Sequence, residues 1–309
     1  MTVSKPTSDG LKSVNGCMAF ALKCGLVLTV SATHLPTLAD PARAQSLLST
    51  YQSMEDRLRQ NPFNRPLVLD SQETPNRVTG EIHAVIEHPF TSVSRGLNSP
   101  EHWCDVMSLH INTKYCRAVV TPGGTTLNVN IGKKTPESLE TAPRMSFSYG
   151  VASNTPAFLA IDLGAKTGPL GTSDYRIALE VVPLPNARSF LHLTYSYSMN
   201  FAARLAMQTY LSTVGSGKVG FTLLTKTGET PQQFVNGARA LVERNTMRYY
   251  LAIDSFLAAA SEAPARQLEA RLQGWFTAAE RYPRQLHEID RADYLAMKRD
   301  EYQRQKTAD

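Results

Sequence analysis

Hydrophobic and polar residues alternate along residues 78–88, where most apolar side chains share one parity and most polar ones the other. This pattern predicts a strand with one buried face, and residues 111–120 predict a second strand. Five later segments carry β-branched and aromatic residues between glycine and proline breaks and also predict strands: residues 125–131, 144–152, 158–163, 174–183 and 190–199. The last segment mixes polar groups into an apolar frame, which suits either a cavity wall or a sheet with one wet face.

Helical segments separate and follow these strands. Residues 91–97 and 99–109 predict two short helices, the second with Ser99 as its N-cap. Apolar residues at helical spacing predict further helices at residues 45–59 and 201–213.

A long helix is predicted for residues 230–260, where an apolar stripe of near-3.6 periodicity is interrupted by Asn245. Because a buried polar group must be satisfied, Asn245 is expected either to bond to backbone or to reach a ligand. Two more helical regions are predicted at residues 265–281 and 283–305. The high density of charged residues in these regions predicts a face exposed to solvent. The alternative is a surface that docks a partner protein. Residues 66–69 are expected to be extended and to lead into the sheet.

Composition and charge narrow the class of protein. The chain has 309 residues, of which 42% are hydrophobic and 19% charged, and this balance is typical of a globular protein. Without residues 1–44 the net charge is only +3, from 28 basic and 25 acidic residues. That balance does not predict nucleic-acid binding, which needs basic residues clustered on one face. No uncharged apolar run reaches the roughly 18–20 residues of a membrane-spanning helix, so no such segment is expected in the mature chain.

Residues 1–44 have the order of a secretory signal peptide. A lysine-containing region precedes an apolar core at residues 25–32, and Ala42 and Ala44 occupy the positions that a signal peptidase reads. We expect cleavage between Ala44 and Gln45 and, in a Gram-negative source, a periplasmic protein. The alternative is an uncleaved anchor.

Cys104 and Cys116 are the only cysteines left after such cleavage. An even pair in an oxidising compartment predicts a disulfide, worth about 3 kcal/mol by the chain-entropy estimate. The alternative is a nucleophilic Cys104 flanked by His102 and Asp105. Adjacent residues on a helix point in different directions, however, and cannot form a triad by themselves. No histidine or cysteine spacing matches a metal-binding motif, so neither a metal nor a cofactor is predicted.

The order of strand, two short helices, antiparallel strands and long helix resembles the START-like (helix-grip) superfamily over residues 78–260. The sequence His102-Trp103-Cys104-Asp105 and residues 191–211 are also similar to uncharacterised exported bacterial proteins. The resemblance implies an α+β fold in which a curved antiparallel sheet grips the long helix around a cavity for lipids, sterols or polyketide-like molecules. The chain departs from that pattern by inserting a helix and residues 218–224 before the long helix.

On this basis the chain divides into a signal peptide (1–44), an N-terminal helix and linker (45–77), a START-like domain (78–262) and a helical C-terminal extension (263–309). The leading hypothesis is an exported carrier for an apolar, lipid-like molecule. The expected ligand-binding residues are Trp103, Phe147, Tyr149, Tyr195, Tyr197, Tyr249 and Phe256, with Asn245 and Arg204 as polar contacts. A second hypothesis is a cyclase- or hydrolase-like enzyme that uses the same cavity, with His192 as general base. A third is a structural module of the envelope that acts through the C-terminal helices.

Overall fold

The computed structural model of the chain describes residues 39–213, 217–224 and 231–307. In chain order its elements are α1 (Ala39–Ser53), α2 (Glu55–Arg59), β1 (Leu67–Glu73), β2 (Arg77–Ile86), α3 (Phe90–Leu97), α4 (Pro100–Leu109), β3 (Thr113–Thr121), β4 (Gly124–Ile131), β5 (Arg144–Thr155), β6 (Phe158–Thr167), β7 (Ser173–Leu184), β8 (Arg188–Ser198), α5 (Phe201–Thr213), α6 (Gly237–Ala258), α7 (Pro264–Ala279), α8 (Pro283–Leu286) and α9 (Arg291–Thr307). The basic region and apolar core of the predicted signal peptide, within residues 1–38, lie outside the described residues. None of the helices in these ranges combines the length and the hydropathy that a membrane span requires.

Within the described residues, eight strands form one antiparallel sheet in the order β1-β2-β8-β7-β6-β5-β4-β3. The seven strands predicted from alternation are confirmed as β2 to β8. The segment expected only to lead into the sheet, residues 66–69, belongs largely to an additional edge strand, β1, that pairs with β2. The predicted α+β class is confirmed, and the curved sheet with a long helix against it is the helix-grip arrangement.

Different parts of the chain cover the two faces of the sheet. On the inner face, α6 packs over apolar side chains such as Ile82 of β2 and Leu193 of β8. On the outer face, α1 and α2 pack against Val85 of β2 and Phe190 of β8. Because both faces are partly covered, some residues of the 78–88 segment that point to the outer face are also buried, such as Val85.

The helix α6 passes close to β2 at Gly80. A Cβ atom at this position would collide with the hydroxyl of Thr246 and lie 3.3 Å from the carbonyl oxygen of Val242. The missing side chain therefore lets α6 lie close against the strand.

The long helix begins later than its apolar stripe indicates, so the prediction of a start at residue 230 was wrong. The backbone N–H of Val235 donates to the carbonyl of Thr222 at 2.9 Å, and that of Gly220 donates to the carbonyl of Val235 at 2.7 Å. These bonds hold Val235 in a short antiparallel pairing, and α6 starts at Gly237, whose φ is +66°. The periodicity of the side chains does not show that the backbone of Val235 pairs with residues 220–222 instead of joining the helix.

The two short helices and the disulfide are confirmed. The hydroxyl of Ser99 accepts the backbone N–H of His102 at the start of α4, as expected of an N-cap. Cys104 of α4 and Cys116 of β3 form a disulfide with their Cα atoms 5.2 Å apart. The bridge ties α4 to the edge strand of the sheet.

The predicted N-terminal helix is longer and is interrupted. The prediction of one helix at residues 45–59 was wrong in its bounds, because α1 includes Ala39 and a break at Met54 separates it from α2. The predicted cleavage site after Ala44 lies within α1. Arg43, just before that site, pairs with Glu180 at 2.9 Å.

The C-terminal helices pack back onto the domain, and the prediction of a solvated charged face was wrong for part of this region. Tyr294 of α9 stacks on Trp275 of α7 with ring centroids 4.9 Å apart. Lys298 and Glu301 of α9 are buried, and both join an ion network with Lys114 of β3. The charged side chains Lys298 and Glu301 therefore anchor α9 to the sheet.

Candidate functional site

A cavity of about 720 Å³ lies between the inner face of the sheet and α6. We call it the tyrosine cavity, because Tyr175, Tyr195, Tyr210 and Tyr249 line it. The rest of its wall comes from the end of α4, the loop after β4, β5, the turn before β7, and α5. At the rim, Leu170 is 44% exposed, which places an apolar side chain at the entrance.

Aromatic rings form a continuous series along one side of this cavity. Tyr197 stacks on Tyr175 at 5.1 Å, and Tyr175 lies 6.2 Å from Tyr195. Tyr249 of α6 then lies 5.4 Å from Tyr195 and 5.0 Å from His110. Burial raises the pKa of the Tyr195 and Tyr249 phenols, so both remain protonated and can donate hydrogen bonds.

The polar part of the wall is built around His110 and Asn245. The Nδ1 atom of His110 accepts the backbone N–H of Asn112 at 3.2 Å, and its Nε2 atom makes no hydrogen bond of standard geometry within the described chain, although the side chain of Asn245 interacts with the ring. Burial, together with nearby Arg248 and Lys298, holds the pKa of His110 well below its ordinary value, so the ring is neutral. Its proton therefore resides on Nε2. Asn245 accepts a hydrogen bond from Nη1 of Arg248 at 3.2 Å, so its amide is engaged by a side chain rather than by backbone.

Four basic residues gather around Glu288 beside this polar wall. The carboxylate lies 2.5 Å from Nη2 of Arg248, 2.7 Å from Nζ of Lys134 and 3.6 Å from Nζ of Lys218. Although burial opposes ionisation, Arg248 and Lys134 hold the pKa of Glu288 below its usual value. We call Lys134, Lys218, Arg244, Arg248 and Glu288 the Glu288 cluster.

Among the described residues, Arg244 forms no ion pair at close range, and Glu288 attracts it only from a greater distance. It lies one helical turn before Arg248, and its Nη1 donates to the carbonyl of Val219 at 3.1 Å. Its Nε atom is buried without a hydrogen-bond partner in the same part of the chain. Burial and the adjacent Arg248 lower the pKa of Arg244 to about 10, so it still carries its charge at neutral pH.

A second cavity of about 520 Å³ lies on the other side of Met207, which lines both. Arg204, one of the predicted polar contacts, lines this second cavity. Its Nη1 pairs with Glu73 at 2.5 Å, and its Nη2 donates to two backbone carbonyls in the turn between β1 and β2. Arg204 therefore braces α5 against that turn.

Four of the nine predicted ligand-binding residues come together in the tyrosine cavity. Phe147 of β5 and Tyr195 of β8 line it from the sheet, while Asn245 and Tyr249 line it from α6. These four lie on three elements and are up to 102 positions apart, between Phe147 and Tyr249. Only the pairing of the sheet with α6 assembles them.

Four more of these residues lie outside the cavity, besides Arg204. Trp103 is fully buried, and its Nε1 donates to the carbonyl of Leu97 at 2.7 Å. The hydroxyl of Tyr149 donates to the same carbonyl at 3.4 Å. Tyr197 lies behind the wall, stacked on the ring of a lining tyrosine. Phe256 packs under the guanidinium of Arg271, whose Cζ lies 4.3 Å from the ring centroid.

His192 lies on the outer face of the sheet, so the hypothesis that it acts as general base in the cavity was wrong. It stacks on His83 with ring centroids 4.1 Å apart, and the adjacent positions, Leu191 and Leu193, point into the inner core. Burial opposes protonation of His192, but hydrogen bonds to Glu180 and Glu81 outweigh it and raise its pKa to about 9. The charged ring therefore stabilises the outer surface.

Several lining residues escaped the sequence prediction. Tyr175 follows the inward parity of Ile177 in a predicted strand, so alternation could have found it. Lys134 lies in a polar segment between two strands, where no local pattern distinguishes it. No sequence motif includes His110, and its position at the cavity depends on the turn that follows α4. Among the described residues, no three histidine, cysteine or acidic side chains are placed to hold a metal ion.

The fold and the cavity together define a helix-grip protein with an internal aromatic pocket. No protein-family model matches the chain, and no curated protein sequence matches it. Norcoclaurine synthase from Thalictrum flavum has 12% identity and a TM-score of 0.33, over 47% of this chain and 89% of the synthase. Ara h 8.0201 has 8% identity and a TM-score of 0.35, over 59% and 99% of the two chains. Human StAR-related lipid transfer protein 5 has 9% identity and a TM-score of 0.27, over 51% and 83%. The fold assignment stands on the strand order and the position of α6.

Proposed function

We propose that this chain is an exported protein that binds an apolar, lipid-like small molecule in the tyrosine cavity. The observation that carries the proposal is the cavity itself, whose volume of about 720 Å³ lies inside the range of roughly 300–1,000 Å³ typical of small-molecule sites. Aromatic and aliphatic side chains form much of its wall, and a few polar groups gather at one part of it. Such a distribution favours a ligand that is mainly apolar.

Binding without chemistry is better supported than catalysis. A general base must present an unprotonated atom to the substrate. The unprotonated nitrogen of His110 already accepts a backbone N–H, and the carboxylate of Glu137 accepts the backbone N–H of Lys133 at 2.6 Å. Burial raises the pKa of the Tyr175, Tyr195 and Tyr249 phenols and holds them in their protonated form. We therefore favour a carrier over a cyclase- or hydrolase-like enzyme.

Export is supported by the signal-like residues 1–44 and by the disulfide, since disulfides persist in oxidising compartments. We therefore propose a periplasmic location with a mature N-terminus at Gln45. Sequencing the N-terminus of protein recovered from the periplasm of an expression host tests this. Recovery of full-length chain from the cytoplasm alone would contradict it.

An envelope module that docks through the C-terminal helices has weaker support. The large apolar side chains of α7 and α9, including Trp275 and Tyr294, are buried within the chain itself. A partner would therefore meet mainly the charged outer surface of these helices.

The binding proposal is tested with N-phenylnaphthylamine, a neutral dye that becomes fluorescent in apolar sites. We expect saturable binding to the purified protein and displacement by lipids that mass spectrometry identifies in the purified material. Met207→Trp places a larger side chain in the cavity wall and should weaken dye binding. Leu205→Trp, at a 56% exposed position on the same helix, is the matched control and should leave it unchanged. Absence of saturable dye binding, or equal binding by both variants, would refute the proposal.

A further inference from the structure

The Glu288 cluster carries more positive than negative charge. Lys134, Lys218 and Arg248 pair with the single carboxylate of Glu288, which attracts Arg244 at longer range, and the described residues provide no other ion-pair partner for these four. The formal sum of the cluster is therefore three positive charges. Buried charge is costly unless it is paired, so this arrangement favours an additional anion nearby.

The cluster borders the tyrosine cavity. Lys134 is a member of the cluster and also lines the cavity, where its side chain is 22% exposed. Asn245 lines the cavity and is bonded to Arg248, and the lining residue Tyr210 interacts electrostatically with Arg244 and Arg248. The positive potential of the cluster therefore acts on whatever occupies this part of the cavity.

His110 provides a second and independent sign of a ligand. It is buried and lines the cavity, and the N–H at its Nε2 makes no hydrogen bond of standard geometry within the described chain; the side chain of Asn245, which already accepts from Arg248, interacts with the ring but does not complete that bond. Buried polar groups in proteins are nearly always hydrogen-bonded, so an unpartnered donor at a cavity wall indicates an acceptor on the ligand.

Apolar side chains make up much of the rest of the wall. Met145 and Phe147 of β5 and Leu241 of α6 are among the lining residues. Glu137, the carboxylate at the rim, is engaged by the backbone of its own loop and by the hydroxyl of Thr141. The cavity therefore offers an apolar region for a hydrocarbon chain as well as the donors and positive charge around Lys134 and His110.

We propose that the ligand is an anionic amphiphile, whose carboxylate or phosphate lies against Lys134 and His110 while its hydrocarbon part fills the apolar region. This inference rests on the proposed function and names the chemical class of the ligand. The anion would supply the charge that the cluster lacks and the acceptor that His110 lacks.

The test compares ligands that share one hydrocarbon chain. Dodecanoate, dodecyl phosphate and dodecanol are each used at neutral pH to displace N-phenylnaphthylamine from the purified protein. A charge-assisted hydrogen bond is worth about 1.5–3 kcal/mol, so at least one anion should displace the dye at roughly tenfold lower concentration than dodecanol. The two anions distinguish a carboxylate from a phosphate as the preferred group.

Lys134→Met removes a cluster charge from a partly exposed side chain, so the variant is expected to fold, which a thermal melt verifies. It should reduce the preference for the anion to about twofold or less and leave displacement by dodecanol unchanged. Lys166→Met is the matched control, because it removes the same charge from an exposed position on β6. The adjacent Ala165 packs in the inner core, so Lys166 points away from the cavity, and this variant should keep the full preference for the anion.

Each outcome decides the inference. Equal displacement by the anions and dodecanol in the wild type, or an unchanged preference in Lys134→Met, would overturn it while leaving the binding proposal intact. Failure of the neutral dye to bind would overturn the binding proposal and this inference together.

Discussion

The ion network that anchors α9 makes a strong prediction about stability. Glu301 accepts from Nζ of Lys114 at 3.0 Å and from Nζ of Lys298 at 2.8 Å, and all three side chains are buried. Glu301→Gln removes the only negative charge of this network and leaves two buried ammonium groups. Lys298 keeps two carbonyl acceptors, each at 2.7 Å, from the backbone of His110 and Thr113.

Lys114 is left with much poorer partners. Its Nζ lies 3.4 Å from the carbonyl oxygen of Ile111 and 3.3 Å from the sulfur of Met297. Breaking a buried pair by removing one partner typically costs about 3–5 kcal/mol, and we expect Glu301→Gln to fall in this range at neutral pH. Because a domain is stable by only about 5–15 kcal/mol, such a loss would be readily measured.

Urea unfolding followed by tryptophan fluorescence measures this loss, since Trp275 stacks on Tyr294 of α9 and reports on the anchored region. Glu269→Gln is the control. Glu269 of α7 pairs with Arg299, which lies on α9 like Glu301, but this pair is exposed. Exposed pairs contribute at most about 1 kcal/mol. A cost for Glu301→Gln no larger than that of Glu269→Gln would refute the reasoning.

The pH dependence provides a second check on Glu301→Gln. Burial, opposed by Glu301, lowers the pKa of Lys298 from 10.5 to about 8, and loss of the carboxylate should lower it further. Between the two values the folded wild type binds a proton that the folded variant lacks. The stability of the variant therefore approaches that of the wild type as the pH rises through about 8. A difference that stays constant from about pH 6 to about pH 9 would contradict this account.

Three further predictions concern the fold. Replacing both Cys104 and Cys116 by serine should lower the free energy of unfolding by about 3 kcal/mol in urea, and a loss below about 1 kcal/mol would contradict this estimate. Gly80→Ala should cost about 1–3 kcal/mol by forcing a methyl group against Thr246, and Thr246→Ala in the same chain should restore most of the loss in a thermal melt. Although burial opposes it, hydrogen bonds to two carboxylates raise the pKa of His192 from 6.5 to about 9, so its stabilisation is complete below 6.5 and disappears as the pH rises to 9. Urea unfolding across that range should show the decline in the wild type, and a His192→Gln variant with the same decline would refute the assignment.

Part of the candidate site could be predicted because strand parity assigns side chains to a face. Tyr195 follows the inward alternation of β8, and the helical period places Tyr249 on the face of α6 that meets the sheet. Parity also places Tyr197 inward, but its position further along the strand puts it behind Tyr175. His192 has the opposite parity to Tyr195, so the same alternation assigns it to the other face of the sheet, where the structure places it against His83.

The sequence by itself predicted seven of the eight strands that the structure describes, the two short helices with the Ser99 cap, and the cysteine pair. These depend on residues within a few positions of one another, or on the count of cysteines, so local physical preferences are sufficient. The class of the fold followed from the order of these elements and its resemblance to the helix-grip superfamily. Tertiary structure decided which side chains enclose the cavity and where charges are buried. The distance from Lys134 to Glu288 and the burial of Lys298 depend on segments more than 150 positions apart in the chain. Hydrophobic periodicity contains no information about that register, because it records which face of an element is apolar and not which element will cover it.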